Sequence, residues 1–269
     1  MKQAMMKKGA LILAAIGLTG FLGGCGKEAM PKTSNTAPSA VTLKVAGEAT
    51  YPPMEYKDNQ GRIVGFDIDL MAAIAREMKV ATTYTDMPFH ECIPALEAGK
   101  VDLVISAADG TKERAAKVLF SDVYFPKGVY SVLVRGDNDD IHSTEDLAGK
   151  TVTAVAGTTN ETVAQQMGAA KVIPAERNVE LFKNLEEGKA DAVIADEALA
   201  LYYLGHGGAD KAKPATTIPS SDGFVIMMNK KDGELQKKVN EALKKIIASG
   251  EYDKIYTKWF EKSVSGMGK

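Results

Sequence analysis

The sequence predicts an α/β protein made of two lobes of similar design, and three observations predict it. Strand-like apolar runs alternate with helix-like amphipathic stretches, which is typical of mostly parallel sheets with flanking helices. The frame L-E-x-G-K-x-D-x-V-I occurs at 96–105 and again at 185–194. The shorter frame V-A-G ends one apolar run at 45–47 and another at 155–157. Because both frames recur in the same order, we expect two lobes that repeat one arrangement of strands and helices.

The first forty residues are expected to lie outside the folded part. Residues 1–24 combine a basic leader with an apolar run at 10–22 that is too short to span a bilayer, which is typical of a signal peptide. The run leads into L-G-G-C and resembles a bacterial lipoprotein signal, in which cleavage leaves Cys25 as the lipidated first residue. The alternative is an ordinary secretory signal with an incidental cysteine. Residues 25–40 are rich in Ser, Thr, Pro, Ala and Lys and predict a flexible tether.

Composition excludes several classes of function. The chain has 269 residues, of which 45% are hydrophobic and 25% are charged, as in soluble globular proteins. A formal net charge of -2 does not favour binding to nucleic acid. Two cysteines, Cys25 and Cys92, cannot build a disulfide framework, and the three histidines stand at no metal-ligand spacing. We therefore expect no nucleic-acid partner, no metal site and no cofactor.

The first elements follow from local sequence. An alternating run predicts a strand over 41–46, and the prolines in Tyr51-Pro52-Pro53 then exclude a helix. Asp67 is expected to cap an amphipathic helix that extends to Met78. A strand at 81–85 and a helix that begins near Phe89 complete this alternation.

A cation in an unusual position marks the next segment. A buried strand at 101–105 is followed by a polar turn and a helix with Thr111 as the expected N-cap, so Arg114 is the third helical residue. A helix N-terminus favours anions, and an arginine beside free backbone N–H groups makes an anion site. We therefore expect Arg114 to hold the carboxylate of a small molecule. The alternative is a surface arginine paired with Glu113 or Asp109.

Two apolar extended stretches, 128–134 and 224–228, are interpreted as the crossings between the lobes. They divide the folded chain into lobe 1 (41–127), lobe 2 (128–223) and a return segment of lobe 1 with the C-terminal helices (224–269). Ligands of parallel sheets bind at the carboxyl ends of strands. If the lobes face each other, we expect the loops after the two Val-Ala-Gly frames and after the two repeated V-I strands to line one cleft.

A series of short motifs follows in a fixed order and spacing: Tyr51-Pro52-Pro53, Gly65-Phe66-Asp67-Ile68-Asp69-Leu70, Ile93-Pro94-Ala95-Leu96, Gly99-Lys100-Val101-Asp102, Thr111-x-Glu-Arg114, Phe120-Ser121-Asp122, Leu147-x-Gly149-Lys150, Gly157-Thr158-Thr159 and Lys258-Trp259-Phe260. In these motifs the chain resembles the bacterial extracytoplasmic solute-binding proteins for polar amino acids, which are receptors of ABC importers. The resemblance implies the two-lobed periplasmic-binding-protein fold, in which two crossover strands join the lobes and the lobes close on the ligand by a hinge.

The resemblance also implies roles for the residues that hold the backbone part of an amino acid. Arg114 matches the arginine that forks onto the α-carboxylate, a geometry that suits guanidinium. Thr158 and Thr159 match the loop before a helix, where Thr159 is the second carboxylate ligand. Asp196 matches the carboxylate that takes the α-ammonium, and the backbone carbonyl of Ala107 matches a further acceptor for it.

Four other matches concern the ligand side chain. Tyr51 and Phe89 match the aromatic walls around it, and Glu48 matches an acidic residue that contacts a cationic tail. Asp109 departs from the more common Thr or Ser and recurs in arginine-type receptors of the family. Two acids beyond those that the amino-acid backbone needs leave the pocket negative, which favours a cationic ligand. The alternatives are a solvated acid for Glu48 and a helix cap for Asp109.

The resemblance therefore implies a receptor that is not an enzyme. We expect a lipid-anchored, monomeric, extracytoplasmic receptor that binds arginine or another cationic L-amino acid and docks on the permease of an ABC importer. One alternative is a receptor for glutamine or another polar amino acid. An alternative of a different class is a secreted cyclohexadienyl or arogenate dehydratase on the same fold, in which Glu48 or Asp109 is the acid.

Overall fold

The computed structural model describes residues 41–220 and 223–260. The predicted signal peptide, Cys25 and the predicted tether lie outside these residues. The strands are, in chain order, β1 (Thr42–Gly47), β2 (Thr50–Tyr51), β3 (Glu55–Lys57), β4 (Ile63–Val64), β5 (Ala81–Asp86), β6 (Leu103–Val104), β7 (Val118–Phe120), β8 (Phe125–Pro126), β9 (Val129–Arg135), β10 (Thr151–Val155), β11 (Lys171–Ala175), β12 (Ala192–Asp196), β13 (Ala212–Pro219), β14 (Gly223–Phe224) and β15 (Met227–Asn229). The helices are α1 (Phe66–Met78), α2 (Phe89–Glu97), α3 (Lys112–Lys117), α4 (Thr159–Gln166), α5 (Asn178–Glu186), α6 (Glu197–Gly205), α7 (Gly233–Ala248) and α8 (Glu251–Phe260).

The described strands build two five-stranded sheets of the same design. The first has the order β5-β1-β6-β15-β7 and the second the order β11-β10-β12-β9-β13. We call the part of the molecule on the first sheet lobe 1 and the part on the second lobe 2. In each sheet three strands are parallel, and the next strand, β15 or β9, is antiparallel to its neighbours. Beyond β15 and β9, the last strands β7 and β13 again run parallel to the first three, so four of the five strands in each sheet share one direction. The α/β class and the mostly parallel sheets are confirmed, with one antiparallel strand in each sheet where the chain crosses between the lobes.

The repeated L-E-x-G-K-x-D-x-V-I frame has a structural reason. In lobe 1 the Asp102 carboxylate accepts a hydrogen bond of 2.7 Å from the backbone N–H of Lys44, on β1. In lobe 2 the Asp191 carboxylate accepts one of 2.8 Å from the backbone N–H of Thr151, on β10. Each aspartate also returns its own N–H to the carbonyl of the same partner. The repeated aspartate thus ties the start of each central strand to its neighbour.

The expected cap of α1 is wrong. The N-cap is Gly65, with φ of 141°, where a Cβ atom would lie 2.0 Å from the carbonyl oxygen of Met54. Asp67 is the second helical residue and is fully buried. Its Oδ2 accepts hydrogen bonds from the backbone N–H of Ala107 and the hydroxyl of Tyr124, both 2.9 Å. Asp67 therefore ties α1 to the loop after β6 instead of capping its own helix.

The expected crossings are also displaced. The stretch 128–134 is largely β9, inside the lobe 2 sheet, and 224–228 overlaps β14 and β15. The chain passes between the sheets next to a two-stranded antiparallel ribbon in which β8 pairs with β14. Apolar extended sequence is shared by crossing segments and central strands, so the pattern does not separate them.

The C-terminal helices close the core of lobe 1. Phe66, at the start of α1, is fully buried and lies edge-to-face with Tyr252, Tyr256 and Phe260 of α8, at centroid distances of 5.7, 6.1 and 5.6 Å. Such aromatic contacts add to the free energy of burial. In the described part of the chain, no helix combines the length and apolar character that crossing a bilayer requires.

Candidate functional site

A cavity lies between the lobes, with about 420 Å³ of space between the atoms when the adjoining open solvent is included. Its lining includes all nine residues that the sequence analysis assigned to ligand binding, and five others. The lining residues are Glu48, Tyr51, Glu55, Phe89, Ser106, Ala107, Asp109, Arg114, Val155, Thr158, Thr159, Asn160, Asn178 and Asp196. The loops after β1, β6, β10 and β12 therefore meet at one cleft, as expected from the two repeated frames. The ligand contact of each residue stays a prediction.

Arg114 is a buried residue that reaches from lobe 1 to lobe 2. The Thr111 hydroxyl accepts from the backbone N–H of Arg114, which confirms the expected N-cap of α3. The guanidinium donates 2.9 Å to the carbonyl of Asp109 and 3.0 Å to the carbonyl of Gly157, and its Cζ lies 4.9 Å from the ring centroid of Phe89. Burial lowers the pKa of Arg114, but a guanidinium stays charged. The site thus holds a desolvated cation, which suits a carboxylate.

The N-terminus of α4 faces the same cavity. Its N-cap is Thr158, whose hydroxyl donates 2.6 Å back to the carbonyl of Val155 and makes no capping bond to the helix. Thr159 and Asn160, the first two helical residues, line the cavity. Backbone N–H groups of a first helical turn and the helix dipole both favour an anion. Together with Arg114, this helix end provides a site for a carboxylate.

Asp196 and Tyr51 meet across the cleft. Asp196 is the last residue of β12 in lobe 2, and its Oδ2 accepts 2.7 Å from the hydroxyl of Tyr51 in lobe 1. Burial raises the pKa of Asp196, while the neighbouring ammonium of Lys127 acts against that rise. The same burial and the Asp196 charge raise the pKa of the Tyr51 hydroxyl. Tyr51 is therefore a hydrogen-bond donor in the site as well as a candidate wall.

Asp109 is already paired with a cation that the sequence analysis missed. Its Oδ2 lies 2.8 Å from Nζ of Lys127 and also accepts from the Thr159 hydroxyl, across the cleft. The same Nζ lies 2.6 Å from Oδ1 of Asp196. Burial alone lowers the pKa of Lys127, but the two carboxylates together raise it above its ordinary value. Asp109 and Asp196 thus share one buried ammonium.

Glu48 belongs to a different cluster. It follows β1, is 2% exposed, and its Oε2 accepts 2.6 Å from the side-chain amide of Asn178 in lobe 2. The Thr50 hydroxyl donates to Oε1, and Nη1 of Arg177 lies 3.7 Å away. Burial raises the pKa of Glu48 to about 7, against the effects of Thr50 and Arg177. Glu48 is therefore a buried cavity acid that Arg177 compensates only from 3.7 Å, not a solvated loop residue.

Ala107 is held by two buried carboxyl groups. Its φ is 42°, unusual for a residue with a Cβ, and its N–H donates to Asp67 as described above. Asp67 and Glu55 are both fully buried, and Asp67 Oδ1 and Glu55 Oε2 have no hydrogen-bond partner among the described residues. The Ser106 hydroxyl donates 2.7 Å to Glu55. Burial raises the pKa of both carboxyl groups, that of Asp67 to about 7. Burial and the closeness of two carboxyl groups therefore favour a protonated form of this pair, behind the loop that carries Ala107.

The missed residues left different traces in the sequence. Lys127 is a lone cation between Tyr124-Phe125 and Val129–Val134, and an isolated charge in an apolar stretch is a signal of a buried pair. Asn178 opens the helix before the second repeated frame, which resembles an ordinary N-cap. Glu55 and Ser106 carry no pattern that distinguishes them from surface residues. Among residues 41–220 and 223–260, no group of three or more His, Cys, Asp or Glu side chains is arranged to hold a metal ion.

Known proteins resemble the chain over nearly its full folded length. The arginine-binding extracellular protein ArtP of Bacillus subtilis (strain 168) is 31% identical, over 95% of this chain and 98% of its own. The lysine/arginine/ornithine-binding periplasmic protein of Escherichia coli (strain K12) is 32% identical over 84% and 90%. The histidine-binding periplasmic protein of the same strain is 30% identical over 83% and 89%.

Solved structures show the same fold. An ancestral arginine-binding protein bound to arginine superposes with a TM-score of 0.77 at 41% identity, over 81% of this chain and 98% of its own. An ancestral arginine-binding protein bound to glutamine superposes with a TM-score of 0.79 at 40% identity, over 82% of this chain and 98% of its own. The ancestral amino acid-binding protein AncCDT-1, a precursor of cyclohexadienyl dehydratase, superposes with a TM-score of 0.72 at 38% identity, over 81% of this chain and 95% of its own.

The family model that matches covers residues 43–262, which include both sheets, both crossings and every residue that lines the cavity. The two-lobed fold and the amino-acid receptor resemblance expected from the motifs are thereby confirmed. The chain belongs to the bacterial extracellular solute-binding proteins, family 3.

Proposed function

We propose that the protein is an extracytoplasmic receptor for an L-amino acid with a cationic side chain, namely arginine, lysine or ornithine, and that it delivers this ligand to an ABC importer. The observation that carries the proposal is Glu48, a buried acid in the cavity lining that belongs to a different cluster from Asp196. Arg177 compensates this buried carboxylate only in part, from 3.7 Å, so a ligand that brings a closer cation to it gains affinity. Relatives whose names specify arginine, lysine or ornithine support the same ligand class.

The backbone part of the ligand binds at the end of the cavity with Arg114. Its carboxylate accepts from the Arg114 guanidinium and from the first turn of α4, where Thr158 and Thr159 line the cavity. Its ammonium donates to Asp196 and to the carbonyl of Ala107. The Arg114 guanidinium and the N-terminus of α4 thus match the carboxylate that all amino acids share, and the Asp196 carboxylate matches their ammonium.

The side chain of the ligand decides the specificity. It lies between the rings of Tyr51 and Phe89, whose faces also stabilise a cation. Its charged end reaches Glu48. Asp109 supports the walls of the site through Thr159 and Lys127 instead of meeting the side chain directly.

Charge balance favours the same ligand. Arg114 and Lys127 together are one positive charge short of Glu48, Asp109 and Asp196 when all are ionised. A zwitterion leaves this imbalance unchanged, whereas arginine or lysine removes it. Because all five groups are buried, the difference is large compared with the same charges at a surface.

Closure of the lobes completes the site. Bonds between the lobes involve Tyr51 with Asp196, Arg114 with Gly157, and Glu48 with Asn178, so each end of the cavity is built from both lobes. A ligand that satisfies both halves shifts the hinge equilibrium towards the closed form. The closed form is the one that docks, as a monomer, on the permease.

The N-terminal residues supply the location. We propose that residues 1–24 are a signal peptide and that Cys25 is lipidated, so that residues 25–40 tether the receptor to a membrane. Lobe 1 then comprises 41–127 and the return segment 224–269, and lobe 2 comprises 128–223.

Calorimetric titration of the purified, ligand-stripped protein with each of the twenty amino acids and ornithine tests the proposal. We expect arginine, lysine or ornithine to bind tightest.

Because the pKa of Glu48 is about 7 before binding, a cation at Glu48 must displace a proton below that pH. Cationic-ligand affinity should therefore fall below about pH 7, by up to about tenfold per pH unit. Glu48→Gln should flatten this dependence and reduce cationic-ligand affinity most, whereas Arg114→Ala should abolish the binding of every amino acid.

A receptor that binds only glutamine or another neutral amino acid, with no pH dependence from Glu48, would contradict the cationic assignment. It would leave the amino-acid site intact, since Arg114 and Asp196 serve every zwitterion. An ancestral arginine-binding protein of this fold bound to glutamine makes this comparison a necessary arm of the titration.

A second candidate function is dehydration of a prephenate-like acid. The specific observation is again Glu48, because a buried carboxyl group with a pKa of about 7 is suited to protonate a leaving hydroxyl. Incubation with prephenate or arogenate, followed for phenylpyruvate or phenylalanine, tests this. Product formation that Glu48→Gln abolishes would establish the enzyme, and unchanged substrate together with tight amino-acid binding would exclude it.

A further inference from the structure

Lys127 stands at the point where the chain first leaves lobe 1. It follows β8, precedes β9, and its side chain is 3% exposed. Its ammonium lies 2.8 Å from Asp109 in lobe 1, 2.6 Å from Asp196 in lobe 2, and 3.8 Å from the ring centroid of Tyr130. One ammonium therefore joins a carboxylate of each lobe from the crossing itself.

This ammonium lies behind the cavity. Lys127 is absent from the cavity lining, whereas both carboxylates line it. A ligand in the cavity therefore meets the carboxylates and not the lysine. Any effect of Lys127 on the ligand must pass through Asp109 and Asp196, which makes it a candidate positioning residue.

The surroundings of the two carboxylates show why a cation is needed there. Asp196 accepts from the Tyr51 hydroxyl, and Asp109 accepts from the Thr159 hydroxyl. These are neutral donors, and the Arg114 guanidinium bonds to the backbone carbonyl of Asp109, not to its carboxylate. The rings of Tyr130 and Phe224 also lie against the ammonium, and neither brings a second cation to the carboxylates. Lys127 is thus the cation in direct contact with both carboxylates among the described residues.

We propose that Lys127 is the fixed counter-ion that keeps Asp109 and Asp196 both ionised in the closed cleft. Asp196 then takes the ligand ammonium without a change in its own protonation. Glu48 is left as the acid that selects the side chain of the ligand. The inference rests on the proposed function for the identity of the ligand groups. Two adjacent buried carboxylates without a cation cannot both ionise, and one takes up a proton. Without Lys127, ammonium binding must displace that proton.

The test compares Lys127→Met, which keeps the length and removes the charge, with Lys127→Arg, which keeps the charge. Arginine binding is measured by calorimetry between about pH 5 and pH 8, in buffers of different ionisation enthalpy, to count released protons. We expect Lys127→Met to lose about tenfold to a hundredfold in affinity at neutral pH and to release additional protons on binding. Lys127→Arg should release as many protons as the wild type. The exposed Lys254→Met controls for the change in total charge.

The double variant Lys127→Met, Asp109→Asn separates proton balance from packing. It removes one cation and one carboxylate, so Asp196 no longer has a carboxylate beside it. We expect the additional proton release to disappear, even where affinity stays reduced. Weaker binding by Lys127→Met with wild-type proton release would show that Lys127 acts only on structure and would overturn the proposal.

A measurement that needs no ligand distinguishes a failure of the proposed function from a failure of the role proposed for Lys127. The aspartate side-chain carboxyl carbons are followed by ¹³C NMR in the ligand-free wild type and in Lys127→Met. We expect one carboxyl group of the Asp109–Asp196 pair to ionise at a pH higher by about one unit or more in the variant. Unchanged titration overturns the role of Lys127, whereas a shifted titration in a protein that binds no amino acid upholds it and refutes only the ligand assignment.

Discussion

At the scale of single residues, the buried Glu55–Asp67 pair links stability to the site. Asp67 fixes the loop at Ala107 through Oδ2, whereas its Oδ1 is buried without a hydrogen-bond partner among the described residues. Burial raises both pKa values above those of the unfolded chain, so the folded protein holds more protons near neutral pH. Stability from this pair is therefore complete at acidic pH and is lost as the pH rises through about 7 and above.

We predict that Glu55→Gln removes most of this alkaline loss. Glutamine has the shape of the protonated acid, so its amide donates to Asp67 and its carbonyl accepts from Ser106. In urea unfolding, the wild type should lose about 2 kcal/mol between about pH 6 and pH 9, and the variant less than half of that. Glu55→Ala, which leaves two buried partners unsatisfied, should lose about 3 kcal/mol at every pH. Parallel curves for wild type and Glu55→Gln would show that the pair holds no proton.

The residues that the sequence predicted are those whose role follows from the main chain. The helical position of Arg114 marks it in the sequence. The resemblance implies Thr159 and Asp196, which stand at the start of α4 and at the end of a repeated strand. Lys127 and Glu55 act through side chains that meet only in three dimensions. Asp109 shows the limit most clearly, because its acidity in the sequence does not reveal that a cation of the protein, Lys127, is already paired with it. Its contact with a ligand stays a prediction.

At the scale of elements, the loop between β10 and α4 controls how closely the lobes approach. Gly157 has φ of 74°, and its carbonyl accepts from Arg114 of the opposite lobe. A Cβ at this position would lie 3.1 Å from the Cβ of His90, at the start of α2. The glycine is therefore needed both for the turn and for the contact between lobes.

We predict that Gly157→Ala weakens binding of every amino acid by about tenfold, because the added methyl group holds the lobes apart. Gly149→Ala is the matched control, since Gly149 has φ of 78° in the same lobe but open space around it. Both variants should lose about 1 kcal/mol of unfolding free energy from backbone strain, measured with urea. Only Gly157→Ala should lose affinity in calorimetry, and an equal loss in both would remove the steric explanation.

Elements were easier to predict than their connections. The repeated helix-glycine-strand unit predicts α2–β6 and α5–β12, because its glycine ends each helix with a local hydrogen bond. Its aspartate bonds to the neighbouring strand in both lobes. The cap of α1 was assigned to Asp67 because an acid near a helix start resembles a cap. The close approach of Met54 that requires Gly65 is a tertiary contact, which local pattern does not contain.

At the scale of the whole molecule, ion pairs outside the cavity also join the lobes. Arg177 of lobe 2 bonds to Asp86 of lobe 1 at 2.7 Å, and Lys57 shares the same carboxylate. The Arg177 guanidinium also lies 3.7 Å from Glu48. Arg177 therefore favours closure while it partly neutralises the acid that selects the ligand side chain.

We predict that Arg177→Ala changes selectivity as well as affinity. Loss of the ion pair with Asp86 should reduce the affinity for neutral amino acids by only about threefold, because a partly exposed ion pair contributes little free energy. The affinity for arginine should fall less, because the guanidinium of the ligand then no longer competes with Arg177 for Glu48. Titrations with arginine and glutamine measure the ratio, and small-angle X-ray scattering of the ligand-free protein measures opening. An arginine affinity that falls as far as that of glutamine would contradict the role assigned to Glu48.

The position of β15 has a consequence for how the protein forms. The strands of the lobe 2 sheet follow one another within Val129–Pro219, but β15, at Met227–Asn229, separates β6 from β7 in the lobe 1 sheet. A chain that emerges from a ribosome or a translocation channel N-terminus first can therefore complete the second lobe before the first. The lobe that begins the sequence is therefore the last to gain one of its inner strands. Until then β6 exposes an edge that a chaperone can protect or that another chain can pair with.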